Sequence, residues 1–395
     1  MTNTQASLFE SAESAFERFV DTGTRDGAPV KVIDIPETIP QLGYGSHQFF
    51  RYYGKFPSLL GREIIGKFAL PGTSVLDCYA GSGTTLVEAQ IAGHPSYGID
   101  INPLAVLACR AKTAYYDADE LRRTLAGLVQ SVDSSPAPWE PTVAAGRLAK
   151  WFSPSAVEGL GRIRTAITAA GLAPDTERFF LTAFLGIVRR CSNAFDGEVR
   201  PHVKKDKKPR PPRAAFIDKV NDMLDGLGQL DAMRPLGIES GSWIGDNRSP
   251  HEYERVENVG LVVAHPPYLN SFNYLGVFSL EFMWAADLSA VWDGWTEKDI
   301  RRLEQKAHPA TDAVLVANYY DSIRQTIKAS TESLVDGGVL AVVVGDATIH
   351  GDLEPVVDRL WDELCSSMEP TELWYRTTHY GIGKYAYSHR ADYHG

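Results

Sequence analysis

Apolar and polar positions follow two different periods along this chain, and the switch between them predicts its layout. "SLLGREIIGKF" (58–68) carries apolar residues at helical spacing. "GTSVLDCYAG" then reads as turn, short buried strand and turn, and "SGTTLVEAQIAG" as a helix that opens at small residues and closes at Gly93. "SYGIDI" is a second strand and "NPLAVLACRAKT" a second helix. Alternation of strand and helix from 73 to 113 implies a parallel sheet with covered faces. From about 116 the alternation stops. "DELRRTLAGLVQSV", "PSAVEGLGRIRTAITAAG", "ERFFLTAFLGIVRRCSNAF" and "AAFIDKVNDMLDGLGQL" all read as helices. Strand signals return at "SWIGD", "VGLVVAH" and "GGVLAVVVGD", and "ELWYRTTHYGIGKYAYS" alternates around Gly381 and Gly383 like a terminal hairpin. The expected organisation is a polar, partly helical lead-in (1–40), one half of an α/β domain (41–115), a helical insertion (116–235) and a second α/β half (236–395).

Composition narrows the class. The chain has 395 residues, 44% of them hydrophobic and 10% aromatic, enough for a real core in one large or two medium domains. Cys78, Cys109, Cys191 and Cys365 show no pairing rhythm and no C-x-x-C, which suggests neither a disulfide framework nor a zinc ribbon and fits a reducing, cytoplasmic setting. "MTNTQASLFESAESAFERF" has no basic start and no long apolar core, so a signal peptide is not expected. No apolar run approaches membrane-spanning length, and no membrane partner is expected. A net charge of −11 argues against a partner held by overall charge alone, but the cations are clustered in "RPHVKKDKKPRPPR" from Arg200 to Arg213.

Candidate chemistry begins at the first strand. "VLDCYAGSGTTLVEA" puts Asp77, Gly81 and Gly83 at its mouth, where glycines let a ligand approach the backbone at a helix start. Asp100 ends the next strand, 23 residues on, and a carboxylate there can grip both hydroxyls of an adenosine ribose. Three readings compete. A phosphate-cradling loop needs a lysine after Gly83, and none follows. A dinucleotide fingerprint needs a third glycine, and Leu86 stands in its place. An S-adenosylmethionine pocket needs the tight turn and the ribose carboxylate without either.

Together "HQFFRYYGKFPSLL", "SVLDCYAGSGTTLVEAQIAGHPSYGIDINPLAVLACRAKT" and "VGLVVAHPPYLNSFNYLGVFSLEFMW" resemble the amino-methyltransferases that modify the exocyclic nitrogen of cytosine or adenine in DNA. The resemblance covers about a quarter of the chain. It implies an α/β fold of the Rossmann-like class I S-adenosylmethionine-dependent methyltransferase type with a helical insertion. S-adenosylmethionine is the implied cofactor and no metal is implied. The implied partner is DNA; the alternatives are an RNA or protein acceptor at the same Pro-Pro-Tyr turn, or a catalytically weak module that binds cofactor and nucleic acid, and a restriction or defence-system protein is a further partner. In that family the first segment closes over the methionine end of the cofactor, here Lys55, Phe56 and Pro57. The second supplies the cofactor loop, here Asp77, Tyr79, Ala80, Gly81, Ser82, Gly83, Thr84 and Thr85, and the ribose acid with its neighbours, Asp100, Ile101 and Asn102. "WIGDN" is similar to a third segment whose acid meets the adenine amine, here Asp246. A long insertion in such proteins can carry target recognition.

The catalytic turn is the sequence His265-Pro266-Pro267-Tyr268. An aromatic amine is a poor nucleophile because its lone pair is delocalised into the ring. In the family, the side chain before the prolines and a backbone carbonyl in the turn accept its hydrogens and aim the lone pair. Proline fixes φ and so holds that carbonyl, and the aromatic stacks on a flipped-out base. The family usually has Asp, Asn or Ser where this chain has His265. A neutral imidazole has one acceptor nitrogen for the task, although it titrates near neutral pH. "PPYLNSFNY" is more similar to cytosine-type members. Asn270, Ser271 and Asn273 are candidates to touch the base or its phosphate, or to cap the following helix. Lys204, Lys205, Lys207 and Lys208 are the candidate phosphate contacts.

Overall fold

Residues 19–35, 37, 41–55, 57–134, 145–269, 273–306 and 311–376 are described by the computed structural model. In the described part of the expected partly helical lead-in, the chain forms two antiparallel strands, β1 (Phe19–Arg25) and β2 (Ala28–Ile33), while residues 1–18 lie outside the described residues. Asp26 and Gly27 make their two-residue turn with φ of 51° and 85°, the left-handed pair that an Asp-Gly hairpin needs. Backbone contacts divide the chain into two units, 43–343 and the combined segments 1–42 and 344–395.

The larger unit is built on a sheet whose strands are all parallel. Helix α1 (Ser58–Phe68) leads into β3 (Ser74–Asp77), α2 (Thr84–Ile91), β4 (Ser96–Asp100) and α3 (Pro103–Thr113). The insertion contributes α4 (Ala118–Ser134), α5 (Ala145–Trp151), α6 (Pro154–Ala169), α7 (Pro174–Val188) and α8 (Pro212–Asp231). β5 (Ser240–Ile244) and β6 (Val259–Ala264) follow, then short helices α9 (Tyr274–Val277), α10 (Ser279–Ala285) and α11 (Ser289–Trp292), then α12 (Glu297–Lys306), α13 (Asp312–Thr331) and β7 (Leu334–Val342). The strand order is β5-β4-β3-β6-β7. Numbered along the sheet's own path this is 3-2-1-4-5, the order of a Rossmann-like fold. Every residue of β3 and of β6 is buried, as a strand covered on both faces requires. Among the described residues this sheet has five strands, in keeping with the expected Rossmann-like α/β fold.

The insertion shares its core with the sheet's helices. Phe179, Phe180, Phe184 and Phe152 pack in one cluster with residues of α3 and with Trp284 of α10. Helix starts follow local chemistry: Ser153 accepts the Ala156 amide ahead of Pro154, and Asn102 accepts the Leu104 amide ahead of Pro103.

In the smaller unit β8 (Ala347–Ile349) and β9 (Asp352–Glu354) pair antiparallel, and α14 (Val356–Cys365) precedes β10 (Leu373–Arg376), which lies parallel to β2. Part of the segment read from sequence as a terminal hairpin is therefore a strand on another partner; the rest, with Gly381 and Gly383, lies outside the described residues. Among the described residues no helix is long and apolar enough to cross a membrane.

Candidate active site

The strand order reverses between β3 and β6, the switch point at which open α/β sheets bind ligands beyond their carboxyl ends. Asp77 pairs in register with Val263, and the Cys78 amide reaches the Val263 carbonyl at 3.2 Å. The glycine turn after β3 and the Pro-Pro turn after β6 therefore leave the sheet side by side. On the other flank Asp77 pairs with Gly98 of β4, two residues before Asp100.

The glycine turn is braced from within. Asp77 accepts the Tyr79 amide at 2.9 Å and the Thr85 hydroxyl at 2.5 Å. Burial pushes its carboxyl up to about 6, against the opposing pull of those two bonds. Its oxygens shape the turn, whereas the sequence reading had them meet the cofactor. Ala80 N–H bonds to the Ile99 carbonyl and Gly83 N–H to the Ala80 carbonyl, while Gly81 N–H bonds to Asp100. With four of the amides from Tyr79 to Gly83 committed internally, the turn lacks the row of free donors that a phosphate cradle presents. Gly81 and Gly83 adopt φ of 50° and 81°. At Gly83 a Cβ would stand 3.0 Å from the Cys109 sulfur and 3.3 Å from its Cα. The Thr84 hydroxyl is buried without a partner among the described residues. Beneath the turn Lys112 of α3, fully buried, donates to the Ser82 carbonyl at 2.6 Å and the Ser82 hydroxyl at 3.0 Å. Burial holds its ammonium well below the usual lysine range. Sequence reasoning looked for a lysine within the loop and missed this one, which supports the loop's floor from 30 residues away.

Asp100 accepts the Gly81 amide on one oxygen and the Asn102 amide on the other, both at 2.8 Å. Each oxygen keeps a further acceptor position, and burial raises its carboxyl to about 6. Asn102 donates to the Tyr52 hydroxyl at 3.3 Å. The Tyr52 ring stacks on Tyr274 at 5.5 Å and on Phe278 at 5.4 Å. Tyr52 thus links the β4 end to the chain that follows the Pro-Pro turn. Lys55 donates to the His47 carbonyl at 3.1 Å, and burial lowers its ammonium to about 8. Pro57 caps α1, Ile101 is half-buried beside buried Asn102, and Phe56 lies outside the described residues. Asp246 departs from expectation. Arg248 takes both its oxygens, at 2.6 and 2.7 Å, so the acid expected to face an adenine amine is already paired.

At the β6 end His265 is half-buried, Pro266 buried, Pro267 exposed and Tyr268 42% exposed, leaving the tyrosine ring a face for a ligand. The His265 and Tyr268 rings meet edge-on at 5.7 Å, with His265 Nε2 3.5 Å from the Tyr268 hydroxyl. Asn273 caps α9, accepting the Gly276 amide at 2.6 Å, which realises its helix-capping alternative. Asn270 and Ser271 lie outside the described residues.

The basic segment folds into a hairpin-like turn. Ala194 and Val203 form an isolated bridge, and Phe195 N–H bonds to the His202 carbonyl. Lys204, with its amine 4.3 Å over the Phe195 ring, Lys205 and Lys208 are exposed. Lys207 is not: its amine donates to the carbonyls of Arg189 and Ala194 and to Asp196, at 2.8, 2.6 and 2.9 Å. It anchors the turn and cannot serve as the phosphate contact expected of it. Arg210 and Arg213 pair with Asp218 and Asp133.

Residues 26–109 match the DNA methylase family. The chain is 29% identical over 219 residues to the type II methyltransferase M.MvaI of Kocuria varians, covering 49% of this chain and 46% of that protein. It is 39% identical over 80 residues to M.BsoBI of Geobacillus stearothermophilus, covering 20% and 16%. M.MjaII of Methanocaldococcus jannaschii is 35% identical over 79 residues, covering 20% and 15%. The aligned stretch spans less than half the length of each of these relatives. Over the segment that builds the glycine turn and Asp100, the chain is similar to amino-methyltransferases of the DNA methylase family.

Proposed function

We propose that this chain transfers a methyl group from S-adenosylmethionine to an exocyclic amino nitrogen of a base swung out of DNA, cytosine N4 ahead of adenine N6. One observation carries the reading: the ribose-type acid Asp100 and the His265–Tyr268 turn flank β3 at the switch point, and Tyr52 bridges from Asn102 to Tyr274. With neighbouring strands about 4.8 Å apart, the two ends lie roughly 10 Å from one another, close enough for a cofactor and a base to share one cleft.

The donor set fits the cofactor. A carboxylate with an open acceptor position on each oxygen suits a ribose, an unpartnered Thr84 hydroxyl adds a polar contact, and a turn with few free amides suits a ligand without phosphate. When bound, S-adenosylmethionine supplies an electrophilic methyl carbon on a good leaving group. Asp100 and Asn102 would hold its ribose end, and Lys55 lies in the segment that closes over its methionine end. Neutral His265 accepts one amine hydrogen and turns the nitrogen lone pair toward the methyl carbon. Tyr268 stacks on the base, and Pro266 and Pro267 fix the backbone between them. The nitrogen that gains the methyl group would shed one proton, to His265 or through it to solvent, while the C–S electron pair would stay with the departing neutral thioether. Holding nitrogen and carbon in line supplies much of the acceleration. Exposed Lys204, Lys205 and Lys208 position the strand through its phosphates, and the helical insertion carries target choice. On this reading the protein works in the cytoplasm, and a restriction or defence-system protein is a further partner.

Labelled methyl transfer to separate DNA, RNA and protein pools tests the reading. Label in DNA that is lost in His265→Ala supports it; label confined to RNA or protein refutes the DNA assignment.

A further inference from the structure

Arg189 follows the last turn of α7 and is 5% exposed. Its guanidinium donates four hydrogen bonds to three separate stretches of chain. One terminal nitrogen reaches the Tyr53 hydroxyl and the Glu198 carbonyl, each at 2.7 Å. The other reaches the Val199 carbonyl at 3.0 Å and the Val277 carbonyl at 3.1 Å. Tyr53 closes the ring by donating to the Glu198 carbonyl at 3.1 Å, and Arg51 donates to the Asp196 carbonyl at 2.5 Å. The backbone carbonyl of Arg189 in turn accepts Lys207, which also ties down Ala194 and Asp196. Tyr53 lies in the stretch that leads to Lys55; Glu198 and Val199 lie at the tip of the basic hairpin, and Val277 lies in α9, which follows the Pro-Pro turn. A planar fork with fixed donors spans three partners; an ammonium on a flexible stem does not.

We propose that Arg189 is a positioning residue that fixes the segment 51–55, the basic hairpin 193–204 and helix α9 as one body. A nucleic-acid strand docked on Arg200, Lys204 and Lys205 is thereby registered against the pocket; this clause rests on the function proposed above, whereas the locking itself does not.

Hydrogen exchange read by mass spectrometry on the full chain tests it, with Arg189→Lys and, should that variant not fold, Tyr53→Phe, which removes one acceptor and leaves the guanidinium packed. Exchange is expected to rise together at 51–55, 193–204 and 274–277 by about tenfold, since local opening reports local contacts, with 77–102 unchanged. Methyl transfer at saturating substrate falls on the order of tenfold to a hundredfold. A rise confined to one segment, no rise, or a rise that includes 77–102 overturns the proposal. If the wild type moves no methyl group yet the exchange pattern holds, the proposed function fails and the locking stands.

Discussion

On the proposed function, Asp100 is the residue on which cofactor binding turns, and its environment sets a pH signature. Burial raises its carboxyl to about 6, as it does that of Asp77. A raised carboxyl favours the protonated folded state, so the contribution of these groups to stability is present below about pH 4 and is lost as pH rises through about 6. Cofactor binding runs the other way, because a ribose hydroxyl pairs best with the ionised acid. Affinity measured by calorimetry is expected to climb between about pH 5 and about pH 7 with proton release; a flat profile contradicts the assignment. Asp100→Ala should weaken binding roughly 10- to 100-fold, the scale of a charge-assisted hydrogen bond at about 1.5–3 kcal/mol. His265→Ala should leave that affinity intact and remove turnover. Wild-type turnover in this variant would return His265 to a merely structural place beside Tyr268.

The turns and helices make their own predictions. Gly83→Ala forces a Cβ against the Cys109 sulfur and Cα at a φ of 81°. A loss of about 1–3 kcal/mol is expected in denaturant unfolding; an unchanged midpoint would show that the turn relaxes freely. In the basic hairpin, Lys204→Ala, Lys205→Ala and Lys208→Ala together should lower the slope of log affinity against log salt by up to about 3, whereas Lys207→Ala should destabilise the hairpin instead. That contrast separates what the sequence revealed from what it hid. Helix α1 was legible over 58–68 because apolar spacing marks both its ends. The β3 turn was legible because Gly81 and Gly83 stand two residues apart in one local motif. β1 and β2 were not recognised, although Asp26-Gly27 carried their signal in a polar stretch read as a partly helical lead-in. Lys112 and Arg189 were invisible for a different reason. Their partners Ser82 and Tyr53 lie 30 and 136 residues away, and no local pattern marks a side chain whose role comes from packing. Lys207 was misjudged likewise: a run of lysines does not say which one turns inward.

At the scale of the whole molecule, the insertion is no appendage. Residues of α4, α6, α7 and α8 share one core with α3, α10 and α11, so removing 116–235 would unfold the larger unit and could not isolate target choice. Surface exchanges on those helices are the usable test of specificity. The core itself is tightly specified: the Phe184 and Phe152 rings meet Trp284 edge-on at 6.0 and 5.6 Å. Phe184→Ala is therefore expected to cost about 3–5 kcal/mol, read as an early unfolding midpoint. The central claim is that one cleft brings a methyl donor to a base amine. Expression in a host lacking DNA methylation, followed by mass spectrometry of its nucleosides, tests this most directly. The account predicts N4-methylcytosine, or failing that N6-methyladenine, in DNA from cells making the wild type and neither in cells making His265→Ala; DNA free of both modified bases in the presence of folded wild-type protein would contradict it.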